Sequence, residues 1–324
     1  MLWKSNAAWV MFSQAASSQK QRRMHLKAIS IGYAIPHTDF NATVHSVFQS
    51  AINLCLARGS KLLTLVASNE ADLPQGIRVD TPDDFSFGIF RAGEQLICRD
   101  DILHFGSSTI ELRGVGRWKC DLPALQADMT NTAVLPAWRY VWQALNRRQM
   151  LLGAEIIAED LFRSDEIIRA GVPCKAGEAM RGLFNATRRF DPTATSFAHT
   201  LIGLGAGLTP SGDDLLVGYL AGLWCTVQDR FERMKFISSL GKAMICLSRQ
   251  TNDISRTYLF HASRGQVSSR LADLAEAICH GENSDHLLTT AESAMRVGHT
   301  SGMDAVTGLL IGLVTWISTG IACH

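Results

Sequence analysis

The sequence predicts an α+β protein: a small antiparallel β barrel or sandwich, then a mostly helical region with two related glycine-rich buried helices. Three observations carry this. Short apolar runs punctuated by Gly59, Pro74, Gly93 and Gly114 fill the first third of the chain. After Pro123 the apolar residues fall at helical spacing over long segments. A motif that begins near residue 210 recurs near residue 300. Residues 1–26 are accordingly a disordered or artefactual tail, 27–125 a β-rich domain and 126–324 a helical domain.

In the tail, Ala7 to Phe12 is a short apolar patch followed by Gln-Lys-Gln-Arg-Arg, basic where a secretory cleavage site needs small residues. Met24 is the alternative start. Strands are expected at Val44–Leu54, Lys61–Val66, Gly76–Val79, Phe85–Phe90, Gln95–Cys98 and Thr109–Val115, although Val47, Ala51, Leu54 and Cys55 also allow a helix in the first of these. His37 and Asp39 read as loop residues, because nothing nearby completes a catalytic set. Helices are expected at Leu135–Leu152, Ala154–Arg169, Glu178–Arg188, Thr195–Leu201, Pro210–Gln228, Phe231–Arg249, Ile254–Ser263, Ser268–His280, Ser284–Val297 and from Gly302 onward.

The densest local chemistry lies between Leu201 and Trp224. Gly203, Gly205 and Gly207 alternate in a stretch that favours a positive-φ loop. Thr209 then offers an N-cap hydroxyl, Pro210 suits the first helical position, and Asp213 and Asp214 fall in the opening turn. Ser211-Gly212-x-Asp214, followed by Gly218, Leu220, Gly222 and Leu223, recurs as Ser301-Gly302-x-Asp304, followed by Gly308, Leu310, Gly312 and Leu313. Each member of the second set lies 90 positions after its counterpart. The glycines let each helix approach a neighbour backbone to backbone.

The repeat suggests that the two helices pack with their amino ends side by side and pool unpaired N–H groups in one polar pocket for an anion or carboxylate. Candidate ligand-binding residues are Gly205, Gly207, Thr209, Ser211, Gly212, Asp213, Ser255, Thr300, Ser301 and Gly302. Candidate catalytic residues are His299, for proton movement, with Asp214 or Asp304 to orient it. The three aspartates would repel a bare phosphate unless they face loop amides or hold a divalent cation such as Mg, and the sequence leaves both readings open. Arg256, beside Ser255, could also reach an anion.

Composition excludes several classes. Thirty-one basic against thirty acidic residues give a net charge of +1, with no basic cluster outside the tail to bind nucleic acid. Eight cysteines without a Cys-x-x-Cys pair indicate a reducing, cytoplasmic setting and no zinc site. Ala305 to Cys323 is uncharged over nineteen residues, but its repeat partner opens with two aspartates, so a buried helix is expected rather than a membrane span.

Gly203-Leu204-Gly205-x-Gly207-Leu208-Thr209-Pro210-Ser211-x-Asp213-Asp214, together with Gly298-His299-Thr300-Ser301-Gly302-x-Asp304 and the Thr251 to Gly265 segment, resembles the AllH-like family. The resemblance covers about Ala28 to Ile317, with its specific motifs in the second half. It implies a subunit of an oxamate carbamoyltransferase in allantoin or ureide breakdown, alongside two other subunit types. The implied reaction moves a carbamoyl group from oxalurate to phosphate and gives oxamate and carbamoyl phosphate. The family transfers no catalytic assignment. The chain lacks the Ser-x-Arg-Thr-Arg and His-Pro-x-Gln signatures of the aspartate and ornithine transcarbamoylases. The competing reading is a non-catalytic scaffold or ligand-sensing subunit of a related complex.

Overall fold

The computed structural model describes residues 24–56, 62–152, 157–161 and 175–317. Its first part is a closed barrel of eight strands, β1 (His25–Gly32), β2 (Phe40–Val47), β3 (Ala51–Leu56), β4 (Leu62–Val66), β5 (Gly76–Val79), β6 (Gln95–Arg99), β7 (Ile102–Phe105) and β8 (Ser108–Glu111). A two-residue strand, β9 (Arg117–Trp118), adds to the far half of β1. The ring closes because β1 pairs with β5 along one edge and with β8 along the other. Closure removes the open strand edges and allows a short chain to fill its own interior. Ile52, Leu54, Leu65, Ile77, Leu96 and Leu103 are fully enclosed there.

Several strand expectations need correction. The pairings β1–β8, β1–β9 and β4–β5 are parallel, so the barrel is mixed. Val44–Leu54 is neither one strand nor a helix but the hairpin of β2 and β3, closed by Phe48 N–H donating to Ala51 O at 2.8 Å. Phe85–Phe90 is not a strand. Ser86 caps a 3-10 turn over Phe87–Ile89, and its aromatic residues follow a period near two because Phe85 and Phe90 pack on Phe87. Residues 112–115 leave the sheet after β8, with Gly114 at φ 70°. β1 and β7 have no counterpart among the expected strands.

The helices are α1 (Val134–Leu152), α2 (Lys175–Arg188), α3 (Ala194–Leu201), α4 (Ser211–Cys225), α5 (Phe231–Leu247), α6 (Asp253–Ala262), α7 (Ser269–His280), α8 (Ser284–Met295) and α9 (Ser301–Val314). The helix expected at Ala154–Arg169 falls mostly outside the described residues, and Ala158–Leu161 is a 3-10 turn. No helix among the described residues is long and apolar enough to cross a membrane.

The helical region is built on the contact between α4 and α9. A Cβ on Gly218 would lie 1.8 Å from Ala305 O, and one on Gly308 would lie 2.0 Å from Leu215 O. One turn on, a Cβ on Gly222 would meet Leu309 O at 2.3 Å, and one on Gly312 would meet Tyr219 O at 2.4 Å. Ala305 is the repeat counterpart of Leu215, and Leu309 that of Tyr219, so the contacts are reciprocal. They describe two parallel helices related by an approximate two-fold axis along their length, with both amino ends abreast. The relation extends outward. Gly212 lies against Leu201 O at the end of α3, and Gly302 lies against Ala294 O near the end of α8. Each half is thus an entering helix, a loop and a glycine-rich helix. Buried polar bonds hold α1 across α9: Trp138 Nε1 donates to Leu310 O at 2.8 Å and Gln149 Nε2 to Thr307 Oγ1 at 3.0 Å.

The barrel sits against α6 and the start of α7. Ser269 exchanges two bonds with the Asp72 backbone, through its N–H to Asp72 O at 2.9 Å and from Asp72 N–H to its Oγ at 3.0 Å. Asp72 is itself braced by Ser30 and Arg78. Arg270 pairs with Glu70 at 3.3 Å, and Tyr33 Oη meets His261 Nδ1 at 3.3 Å.

Backbone contact this close tolerates no side chain, so Gly218→Val and Gly308→Val are expected to destabilise by at least about 3 kcal/mol, the upper range of core overpacking. Urea denaturation measures this, and an unchanged midpoint for both variants would refute the parallel glycine contact.

Candidate functional site

The paired amino ends of α4 and α9 bring the two motif copies together. Thr209 Oγ1 lies 2.7 Å from Ser301 Oγ, although 92 positions separate them in the chain. Thr209 therefore does not cap its own helix. Pro210, with extended ψ, occupies the N-cap, and α4 starts at Ser211 without a side-chain cap bond. Under the approximate two-fold, Thr209 corresponds to His299, Ser211 to Ser301 and Asp214 to Asp304.

The three aspartates are buried, at 1%, 9% and 4% exposure for Asp213, Asp214 and Asp304. They do different work. Asp213 accepts the N–H of Gly203 at 2.9 Å and the hydroxyl of Thr251 at 2.5 Å. Gly203 has φ 74°, so Asp213 pins a left-handed loop residue to α4 and, through Thr251, to the entrance of α6. Asn252 completes the clamp by donating to Leu208 O at 2.9 Å while capping α6 through Ile254 and Ser255 N–H.

Asp214 points toward the second motif. Burial pushes its carboxyl well above the ordinary aspartate value; the Ser301 and Thr209 hydroxyls act in the opposite sense, and the nearby Asp304 and Asp213 charges add to the rise. Burial likewise raises Asp213, against the bonds from Thr251, Gly203 and Ser255. Tyr258 stands on the same side of α6 as Ser255. Burial, then Asp214 and Glu70, push its phenol up to about 12.

The remaining expected site residues divide into two groups. Ser211, Ser301 and Thr300 are half-buried at the mouth, and Gly212 and Gly302 are buried beneath it as helix contacts. Gly205 and Gly207 are exposed at φ 115° and 106°, and a Cβ on Gly205 would lie 2.8 Å from Ser211 N, so the loop folds back onto the helix start. His299 is exposed on the loop before α9. Ser255 is buried at the start of α6, whereas Arg256 turns to Asp253 at 2.9 Å and not to the mouth.

Most of the first-turn amides are already engaged: Gly212, Asp213 and Asp214 N–H reach Leu204 O and Pro210 O at 2.8, 2.9 and 3.2 Å, and Gly302 and Asp304 N–H reach Val297 O and Thr300 O at 2.9 and 3.0 Å. Among the described residues no three His, Cys, Asp or Glu side chains group as metal ligands. Asp213 faces α6 while Asp214 faces α9, which separates their oxygens. Two clefts lie elsewhere, one beside Phe190, Phe236 and Leu240 and one beside Arg270, Glu292 and Arg296. The residues missed by sequence reasoning are Thr251, Asn252 and Tyr258. Thr251 lies in the segment that carries the family resemblance, but no local pattern shows its attachment to the 203–210 loop.

Barrel, duplicated helical unit and buried carboxyl mouth together define an α+β protein whose polar centre is assembled from two copies of one motif. Family models agree with both parts. Residues 27–119 match the AllH family N-terminal domain, and residues 201–313 match oxamate carbamoyltransferase subunit AllH. The chain belongs to the AllH family. No solved structure matches it.

Asp214 binds its proton more tightly in the folded state than in the unfolded chain. Its ionisation therefore costs no stability below the ordinary value of 3.8 and penalises the fold increasingly as pH rises toward the folded value. Asp214→Asn, always neutral, is expected to gain thermal stability relative to wild type as pH rises above the ordinary carboxyl value. A melting-temperature difference that stays constant with pH would show that Asp214 is ionised throughout.

Proposed function

We propose that this chain is the ligand-orienting subunit of an oxamate carbamoyltransferase complex that converts oxalurate and phosphate to oxamate and carbamoyl phosphate in ureide catabolism. The family match supports the subunit role. The observation that carries the site is the 2.7 Å contact between Thr209 and Ser301, which joins the two motif copies around Asp214.

In that reaction a phosphate oxygen bonds to the carbamoyl carbon, the carbon–nitrogen bond of oxalurate breaks, and the departing oxamate nitrogen takes a proton. Asp214, with Asp304 beside it, is a buried acid suited to hold that proton near the departing nitrogen. His299 stands exposed on the loop, where it can exchange protons with solvent. Ser211, Thr300 and Ser301 line the mouth and position the oxamate portion, and the Gly205–Gly207 loop covers it. Since most first-turn amides already have partners, the phosphate falls to another subunit of a soluble, cytoplasmic assembly. No Mg is required on this chain for that arrangement.

A scaffold role is the other reading, favoured by the same saturation of the amides. Reconstitution with the partner subunits separates the two. Asp214→Asn with His299→Ala is expected to lower turnover by at least about a hundredfold, the usual scale for loss of general acid–base catalysis. Full turnover in an intact complex would make this chain a scaffold. Ser301→Ala is expected to weaken oxamate binding by about 1–3 kcal/mol in calorimetry.

A further inference from the structure

We infer that Asn252 is a positioning residue: it latches the glycine loop to the start of α6 and so holds the Thr209 hydroxyl against Ser301. The inference rests on the reading of the mouth as the ligand site and adds what keeps that mouth assembled.

The loop between α3 and α4 is fastened at its ends and almost free between them. At the entry, Leu204 N–H donates to Leu201 O at 2.9 Å and Leu204 O accepts from Gly212 N–H at 2.8 Å. At the exit, Thr209 meets Ser301. Residues 205–208 are all exposed, and among the described residues the bond from Asn252 Nδ2 to Leu208 O at 2.9 Å is the one hydrogen bond they make. The Leu208 side chain is 64% exposed, so packing does little to hold the stretch. The latched carbonyl belongs to the same planar peptide group as Thr209 N–H. Asn252 therefore acts directly on the residue whose hydroxyl joins the two motif copies.

The other end of the Asn252 amide is engaged as well. Its Oδ1 accepts the N–H groups of Ile254 and Ser255, both at 3.0 Å, as the N-cap of α6. An amide is planar, so an oxygen held by two donors aims the nitrogen in a fixed direction. α6 is itself tied to the barrel at both ends: His45 Nε2 lies 3.5 Å from Asp253 Oδ2, and Tyr33 Oη meets His261. Thr251, the preceding residue, reaches the loop entry through Asp213 and Gly203. Two successive residues of one segment thus hold both ends of the glycine loop. Cap and latch use opposite ends of one side chain, which makes them separable. An ionised aspartate at 252 keeps the cap acceptor and has no donor for Leu208 O; serine also caps, and its shorter side chain cannot serve both ends.

Amide nitrogen relaxation of the full chain tests the latch. In Asn252→Asp and Asn252→Ser the order parameter of the Thr209 amide is expected to fall from the rigid range of about 0.85 to below about 0.6. Hydrogen exchange at Ile254 and Ser255 is expected to stay within about threefold of wild type in both, which shows α6 still capped. Kinetics of the reconstituted complex test the positioning: a mouth assembled only part of the time raises KM for oxalurate by at least about fivefold and changes kcat by less than about twofold. An unchanged Thr209 order parameter in both variants would overturn the latch. A loosened Thr209 with wild-type KM, in a complex whose turnover falls with Asp214→Asn and His299→Ala, would overturn the positioning role and leave the mouth as the ligand site. Wild-type KM together with full turnover in that double variant would remove the mouth itself and the inference with it.

Discussion

The parallel contact of α4 with α9 is the constraint on which the rest of the structure depends. Parallel neighbours place their amino ends at the same level, and only glycine at positions 218, 222, 308 and 312 allows the backbones to come so close. Wider spacing would admit side chains and separate the two motif copies. The reach of a Thr209 hydroxyl to Ser301 is therefore a consequence of what is missing from four residues a turn or more away. Aligned helix dipoles repel when parallel, and the acidic residues at both amino ends offset part of that cost.

Closeness also sets the electrostatics. Two carboxyls, Asp214 and Asp304, are carried to the same level by the same symmetry, and both are buried. Isolated at the start of a single surface helix, either would be an ordinary ionised dipole partner. Paired and buried, Asp214 holds its proton more tightly. Asp213, one position earlier, faces the opposite way and serves the loop, so adjacent identical residues have unlike roles because the helix turns by about 100° per residue.

The symmetry is broken where chemistry would need it broken. Thr209 in the first copy is replaced by His299 in the second, and Pro210 by Thr300. The first loop is fastened by Asp213, Thr251 and Asn252 to α6, and α6 in turn abuts the barrel through Tyr33 and His261. The barrel thus stabilises the side of the mouth that carries the glycine loop. The unlike halves provide one clamped wall and one exposed histidine-bearing wall.

Much of this was written in the sequence. The change from short strands to long helices, the glycine ladder and the 90-residue repeat fixed the α+β class, named the two central helices and singled out Ser211, Asp214, Ser301 and Asp304, because each signal is local or periodic. Aromatic residues spaced near two misled the reading at Phe85–Phe90, since a capped turn and a strand share that spacing over so few residues. Tertiary structure alone decided which hydroxyl meets which motif, that the first-turn amides fold back on their own loops, and that Tyr258 and Ser255 stand beside the aspartates. Those facts depend on distances between segments far apart in the chain, and a pattern along one dimension carries the types of residues that can meet but not the geometry with which they do.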